Sequence, residues 1–317
     1  MQLVTIDDVP GGSVGARLTT GDYLHLARTA RAGTLEAWLP TSVAALLAGG
    51  DEAIDIARRM VTRAEHGSAA DELHNRRAVI PAKTPLLAPI PAPSLMVAAG
   101  LAYRSHLAEM ANTPVPQHPT AFMKSPSSIA APGVPLTLPA SADSMVDYEG
   151  ELACVFGRHC HNVAPGEALA HLAGYTAAND ISARDWAPAV WGATEPWQAR
   201  MTWEVNIMGK QLPGFTPLGP VLTTIDEIPD PAALGLKTRL NGTIMQDTQV
   251  SDMIFSVADV ISYLSRWYSF SPGDVLLTGT PAGVGIGRTP RVFLSDGDVV
   301  EVEIDRIGTL RTPVRCT

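Results

Sequence analysis

Asp147-Tyr148-Glu149-Gly150-Glu151-Leu152-Ala153-Cys154-Val155-Phe156 sets two carboxylates two positions apart at the head of an unbroken apolar run. The run reads as a β-strand that goes inward. Residues two apart on a strand share a face, so Glu149 and Glu151 stand side by side. Paired carboxylates in a buried place either cost several kcal/mol or take up a proton. A divalent cation resolves the conflict. Spacing alone equally allows a solvated strand face, where such pairs are common.

The same texture extends along the chain. Short runs at Met96 to Ala99, Val275 to Thr278 and Val299 to Ile304 are bounded by Gly, Pro and Asp, and they predict further strands. Two stretches predict helix: Pro165 to Ala173, and Val257 to Tyr268, in which Val257, Ile261, Leu264 and Trp267 recur at helical spacing. Strands and helices do not alternate as a doubly wound sheet requires, so a strand-rich α+β domain is expected. Upstream, Met1 to about Leu24 reads as short strands broken at Gly11-Gly12 and Gly21-Asp22. Asp51 to Glu65 reads as an amphipathic helix with Asp51 as its N-cap. Pro81, Pro85, Pro89, Pro91 and Pro93 then punctuate an extended segment, because proline lacks an amide donor and biases its predecessor away from helix. The boundary is placed near residue 90. It separates a small N-terminal α/β module with its Pro-rich linker (1–90) from the strand-rich domain (91–317).

A third carboxylate, Asp180, follows the strand-like run Gly174 to Asn179. Three oxygen donors, with no Cys or His at ligand spacing, suit a hard ion such as Mg²⁺ or Mn²⁺, with Ca²⁺ as a substitute. The 317 residues, 46% hydrophobic and 17% charged, leave room for one large domain and a smaller one. A net charge of −9 argues against a nucleic-acid partner, and a small anionic substrate then needs a locally positive pocket. No apolar run reaches the roughly 18 residues of a membrane span. The amino terminus carries Asp7 and Asp8 in place of a basic leader, so the cytoplasm is the expected address and no membrane is expected as partner. Cys154, Cys160 and Cys316 fit no CxxC spacing and read as reduced thiols. His159-Cys160-His161 reads as a turn, since adjacent donors diverge and no second cluster completes a zinc site. Gly279 to Gly287 lacks the lysine of a phosphate loop and reads as a substrate-facing loop.

The order of motifs resembles the fumarylacetoacetate hydrolase superfamily, in particular its branch of acylpyruvases and 2-hydroxyhepta-2,4-diene-1,7-dioate isomerases. The segments that carry the resemblance are Gly100 to Met110, Phe122-Met123-Lys124, Asp147 to Leu152 and Asn179 to Asp185. They continue with Gly209-Lys210, Phe215 to Pro220, Asn241-Gly242, Ser251-Asp252-Met253-Ile254-Phe255 and Pro272 to Gly285. The resemblance implies a mixed β-sandwich roll and a homodimer. It also implies a metal on Glu149, Glu151 and Asp180, the set that charge and spacing select independently. It places Lys210 at the metal site to hold enolate charge, and Thr280, Gly279 and Tyr103 at the substrate. His106 and Glu109, three apart and so on one helical face, resemble the family's water-activating dyad on a mobile lid. Alone, His106 would read as a structural histidine. Arg184 and Lys124 are candidates to grip substrate carboxylates, or else ordinary ion pairs.

Departures from the pattern limit the transfer. Ala102, Ser105 and Val250 stand where Asn, Asp and Thr are common, and Ala187 where the oxaloacetate-decarboxylating branch has Gln. Val97 to Leu101 offers no extra metal-binding carboxylate. Pro188 to Trp203 is longer than usual, and its Trp191, Trp197 and Trp203 either shape an apolar substrate pocket or pack at a dimer interface.

The activity placed first is hydrolysis of the carbon–carbon bond of an acylpyruvate or related 1,3-diketo acid, such as a fumarylpyruvate- or fumarylacetoacetate-like substrate. In it His106 activates water while Lys210 and the metal hold the enolate. The alternative forms the enolate without attacking water: a decarboxylase or isomerase of a 2-oxo or 2-hydroxydiene dicarboxylic acid, of oxaloacetate or 2-hydroxyhepta-2,4-diene-1,7-dioate type, or a sugar-acid dehydratase. A non-catalytic, metal-stabilised binding protein stands third, because His106, Glu109 and Lys210 are all present.

Overall fold

All seven residues of Gly150–Phe156 (β11) are buried, which follows from an apolar strand with neighbours on both edges. The computed structural model describes residues 1–66, 73, 76–110, 113–138 and 145–316, less the side chains of Thr202 and Trp203, so the expectation for the Trp203 ring lies outside the described residues. β11 runs antiparallel to Leu172–Asn179 (β12) and to Val275–Leu277 (β17). Beyond β17 come Met96–Gly100 (β6), parallel to it, and Thr120–Met123 (β7) at the edge. On the other side β12 pairs with Thr216–Thr224 (β14), and β14 with Gln2–Ile6 (β1). Ser13–Arg17 (β2), Tyr23–His25 (β3) and Val79–Ile80 (β4) complete the path, while Leu86–Leu87 (β5) pairs with β1 and Ile129–Ala130 (β8) with β14. The leading segment thus adds its strands to the same sheet as the rest, with Leu3 opposite Leu222.

A second sheet of five strands lies across β11 and β12. Its order is Thr243–Gln249 (β16), Gly235–Leu240 (β15), Val299–Ile304 (β18), Gly308–Cys316 (β19) and Leu136–Leu138 (β9). β15 and β18 alternate buried and half-buried residues, the period of a strand with one face on the core. Val146–Asp147 (β10) and Ser182–Ala183 (β13) form a separate two-stranded ladder. The expected strand-rich α+β architecture is what the chain adopts.

Helices are few, and three differ from expectation. Asp51 lies in the first turn of the helix Gly50–His66 and is not its N-cap, because a separate helix, Val43–Ala48, runs up to Gly49 and the chain turns through Gly50 at φ +69°. Asp51 there faces the positive end of the helix dipole. Pro165–Ala168 is a single helical turn followed by the 3-10 turn Leu169–His171, since Leu172 already belongs to β12. Val257–Leu264 starts at a Ser256/Asp259 capping box and buries Val257, Val260, Ile261 and Leu264; Trp267, read as part of that face, lies beyond the helix and is 71% exposed.

Candidate active site

The antiparallel register of β11 and β12 sets Gly150 opposite Asn179, so the residues just outside both strands emerge at one end of the sheet. Asp180 follows β12 there. Glu149 and Tyr148 fall in a break between β10 and β11, so Glu149 reaches Glu151 through this break and not along a continuous strand face. The break is fixed by paired polar groups. The Glu149 N–H donates to Asn179 Oδ1 at 2.9 Å, the Asp180 N–H to the Glu149 carbonyl at 2.8 Å, and the Gly150 N–H to Gln246 Oε1 at 3.0 Å. The result gathers the expected carboxylates: Glu149, Glu151 and Asp180 are all buried, with ligand oxygens within 4.8 Å of one another.

Buried bases surround them. Lys210 Nζ donates to Glu149 Oε2 at 2.6 Å, Asp180 Oδ2 at 2.7 Å and Ser182 Oγ at 2.6 Å. Arg184 bonds Glu149 and, through Nε at 3.3 Å, Asp147. Lys124 bonds Asp180 and donates to the carbonyls of Lys210 and Phe215 at 2.7 and 3.3 Å. All three donors of Lys124 thus meet protein oxygens, and its bond to Asp180 is the ion pair that stood beside the substrate grip as an alternative.

Electrostatics follow from burial and these pairings. Burial pushes the Glu149 carboxyl up, but Lys210 and Arg184 outweigh it and hold it at about 2. Glu151 is pushed well above the usual carboxylate range by burial and then by Asp180 and Glu149; its backbone donor is the Gly279 N–H at 2.7 Å. Burial lowers Lys124, whereas Asp180 and Glu149 raise Lys210 against the effect of burial. Among the described residues, the buried acids Asp147, Glu149, Glu151 and Asp180 face the buried bases Lys124, Lys210 and Arg184, four against three. Clustered hard oxygens with acid in excess are the donor set that a hard dication fits.

His106 and Glu109 lie on the short helix Arg104–Glu109, with Nδ1 and Oε2 3.2 Å apart. The other Glu109 oxygen accepts the Gly283 N–H at 3.0 Å, which seats the helix on the glycine-rich loop. Gly283 has φ +103°, and a Cβ there would lie 2.0 Å from the Met245 carbonyl, so the seat needs glycine. Thr280 Oγ1 donates to the Gly150 carbonyl at 3.1 Å and accepts from Gln246 Nε2 at 2.7 Å, beside the carboxylates. Tyr103 is wholly buried under the helix, bridged to Met253, and burial followed by the Glu151 charge raises its phenol.

Sequence reasoning missed several supporting residues. Asp147 accepts the N–H groups of Gly285 at 2.6 Å and Ile286 at 3.1 Å, so it ties the glycine-rich loop to Arg184. Its place at the head of the acidic run was a usable signal. Asn179 and Ser182 lie within the Asn179 to Asp185 segment that carries the resemblance, which was a signal, whereas Gln246 had none, being one polar residue in an otherwise ordinary stretch.

Two outer helices, Ala187–Trp191 and Pro196–Met208, leave the site after Arg184 and return at Lys210. Their neck is closed by the Ala183 N–H on the Gly209 carbonyl at 2.9 Å, while the Arg184 N–H on the Met145 carbonyl at 2.7 Å ties the outgoing end to the residue before β10. Trp191 and Trp197 are 52% and 61% exposed, the former under the Arg291 guanidinium at 3.9 Å, so neither ring is enclosed in an apolar pocket.

Residues 95–315 match the family described as fumarylacetoacetate (FAA) hydrolase, C-terminal. The chain is 42% identical over 229 residues, 72% of its length, to the mitochondrial oxaloacetate tautomerase fahd2 of Xenopus laevis, of which it covers 68%. It is 36% identical over 278 residues to the oxaloacetate tautomerase YisK of Bacillus subtilis strain 168, with 87% of each chain covered. The solved structure of a fumarylacetoacetate hydrolase from Exiguobacterium antarcticum superposes over 100% of both chains with a TM-score of 0.77 at 30% identity.

Proposed function

The chain belongs to the fumarylacetoacetate hydrolase family and is an enzyme, and we propose that it interconverts the keto and enol forms of a small 2-oxo dicarboxylic acid of the oxaloacetate kind. The order of the two readings made from sequence is thereby reversed: hydrolysis of an acylpyruvate gives way to enolate formation without attacking water. The names of the relatives at 42% and 36% identity support that order. The observation that carries the reading is His106, with one nitrogen tied to Glu109 and near enough to Glu149 for its charge to act on that carboxylate, which Lys210 also bonds.

Glu149, Glu151 and Asp180 would hold Mg²⁺ or Mn²⁺, which as a Lewis acid supplies polarisation of the 2-oxo group. The chain's own groups then move one proton. With Nδ1–H donated to Glu109, the Nε2 lone pair of His106 is free to take a proton from C3 of the keto form. The C–H electrons become the C2–C3 double bond, and the former carbonyl pair becomes an enolate oxygen. Lys210, its three donors held by Glu149, Asp180 and Ser182, favours that oxygen by its positive charge, and the oxygen takes up the proton from the His106 imidazolium to give the enol. Run backward, the imidazolium returns its proton to C3. Glu109 balances the imidazolium charge, while Arg184, fixed by Asp147, and Lys124 keep Glu149 and Asp180 in place.

The test is to follow decay of enol-oxaloacetate absorbance with the metal-loaded protein, with the protein after chelation, and with buffer. Faster decay that chelation abolishes is expected. No acceleration, together with hydrolysis of acetylpyruvate or stoichiometric CO₂ release from oxaloacetate, would overturn the reading in favour of a hydrolase or a decarboxylase.

A further inference from the structure

The segment Ser251 to Phe255 has no task in the chemistry above, yet it makes most of the bonds at the amino end of the helix that carries His106. A helix begins with unpaired N–H groups, and a helix of six residues has little else to hold it. Tyr103, in the N-cap position, makes no side-chain cap bond. The cap comes from far along the chain: Asp252 Oδ2 accepts the Ser105 N–H at 3.0 Å. A carboxylate there is doubly suited, since it accepts a hydrogen bond and faces the positive end of the helix dipole.

The backbone around Asp252 adds further straps. Arg104 donates to the carbonyls of Asp252 at 3.2 Å, Ile254 at 3.3 Å and Met253. The Ile254 N–H donates to the Ala102 carbonyl at 2.8 Å, and Tyr103 bridges Met253. At the other end the helix is held by Glu109 on the Gly283 N–H. His106 lies between the two anchors, so the amino-terminal one governs where its imidazole stands.

We propose that Asp252 is a positioning residue that caps the Arg104–Glu109 helix from outside and thereby aims His106 at the reacting carbon. The proposal rests on the reading of His106 as the base. A cap strengthens a helix end modestly, so its removal should raise opening of the helix about fivefold. Proton transfer depends on aim far more than binding does, so kcat should fall about tenfold or more while KM changes little.

The experiment uses the full chain with Mg²⁺ and compares wild type, Asp252→Ala and Asp252→Asn. Hydrogen exchange of the amides of residues 104–109 is read beside turnover of enol-oxaloacetate. Asp252→Ala should lose exchange protection there and lose kcat, and Asp252→Asn, which keeps an acceptor, should recover most of both. Asp252→Ala/His106→Ala should be no slower than His106→Ala alone, because both act on one step. Unchanged protection in Asp252→Ala, an asparagine variant as impaired as the alanine variant, or a double variant slower than His106→Ala would each overturn the proposal. Should Asp252→Ala not fold, the asparagine variant decides alone, since loss of kcat or of protection in it contradicts capping. Exchange is read without substrate. Failure of oxaloacetate as substrate therefore appears as an inactive wild type, distinct from loss of the cap.

Discussion

At the scale of single residues, the site is a contest between burial and charge. Glu149 stays ionised because Lys210 and Arg184 more than offset its desolvation, whereas at Glu151 burial, Asp180 and Glu149 outweigh the pull of Lys210 and the Gly279 N–H. Removing two of three oxygen donors should therefore abolish binding of the dication: titration calorimetry of Glu149→Ala/Glu151→Ala with Mn²⁺ is expected to show no heat at concentrations that saturate the wild type. Retained binding would show that the ion sits elsewhere. His106→Gln is expected to keep the ion and lose about 10²- to 10⁴-fold in kcat, the usual span for a general base. Stopped-flow decay of the enol measures it, and a loss under tenfold would remove His106 from the chemistry. The acidic triad was legible in the sequence because like charges near an apolar run demand compensation. The part played by Lys124 was not. Its positive charge is visible in one letter, but that all its donors are taken by Asp180 and two carbonyls is decided only when residues 86 and 91 positions away close around it.

Elements were legible where their own residues determine them. The apolar runs at Met96, Gly150 and Val275 became β6, β11 and β17, and the Ser256/Asp259 box began the helix that follows it. Element ends fared worse, because they answer to tertiary neighbours: Leu172 leaves the helical stretch to pair in β12, and Glu149 leaves β11 to bond Asn179. One contact between elements permits a pH prediction. Glu36, on the 3-10 turn Leu35–Trp38, meets Arg63 of the helix Gly50–His66 and also Arg31. Burial raises its carboxyl, but the two guanidiniums outweigh this and bring it from 4.5 to about 2. With the folded value below the unfolded one, the clamp contributes fully above pH 4.5 and is lost as pH falls toward 2. The melting temperature of Glu36→Gln should lie below that of wild type at neutral pH and converge with it near the acid limit. A gap that stays constant with pH would contradict the clamp.

Over the whole molecule, the connection between the leading residues and the remainder is a shared sheet. β1 covers the edge of β14, and Leu3, Val14, Leu24 and Leu46 pack into one core with Leu218, Leu222 and Val275. We propose that residues 91–317 do not stand alone. That fragment should lose cooperative melting or aggregate through the bared β14 edge, as light scattering and thermal denaturation would show, and a soluble fragment with a sharp transition would contradict this. Pairing between residues more than two hundred positions apart leaves no local mark, so the strand-rich class could be read from the letters but the path of the sheet could not. The neck at Ala183 and Gly209 bears on how such a protein can diverge. Everything between Arg184 and Lys210 hangs from a closed clasp, so that span can be lengthened, shortened or exchanged while both cations keep their posts. A change confined to that span would meet the outer helices first, while Glu149, Asp180 and Ser182 still seat the Lys210 ammonium.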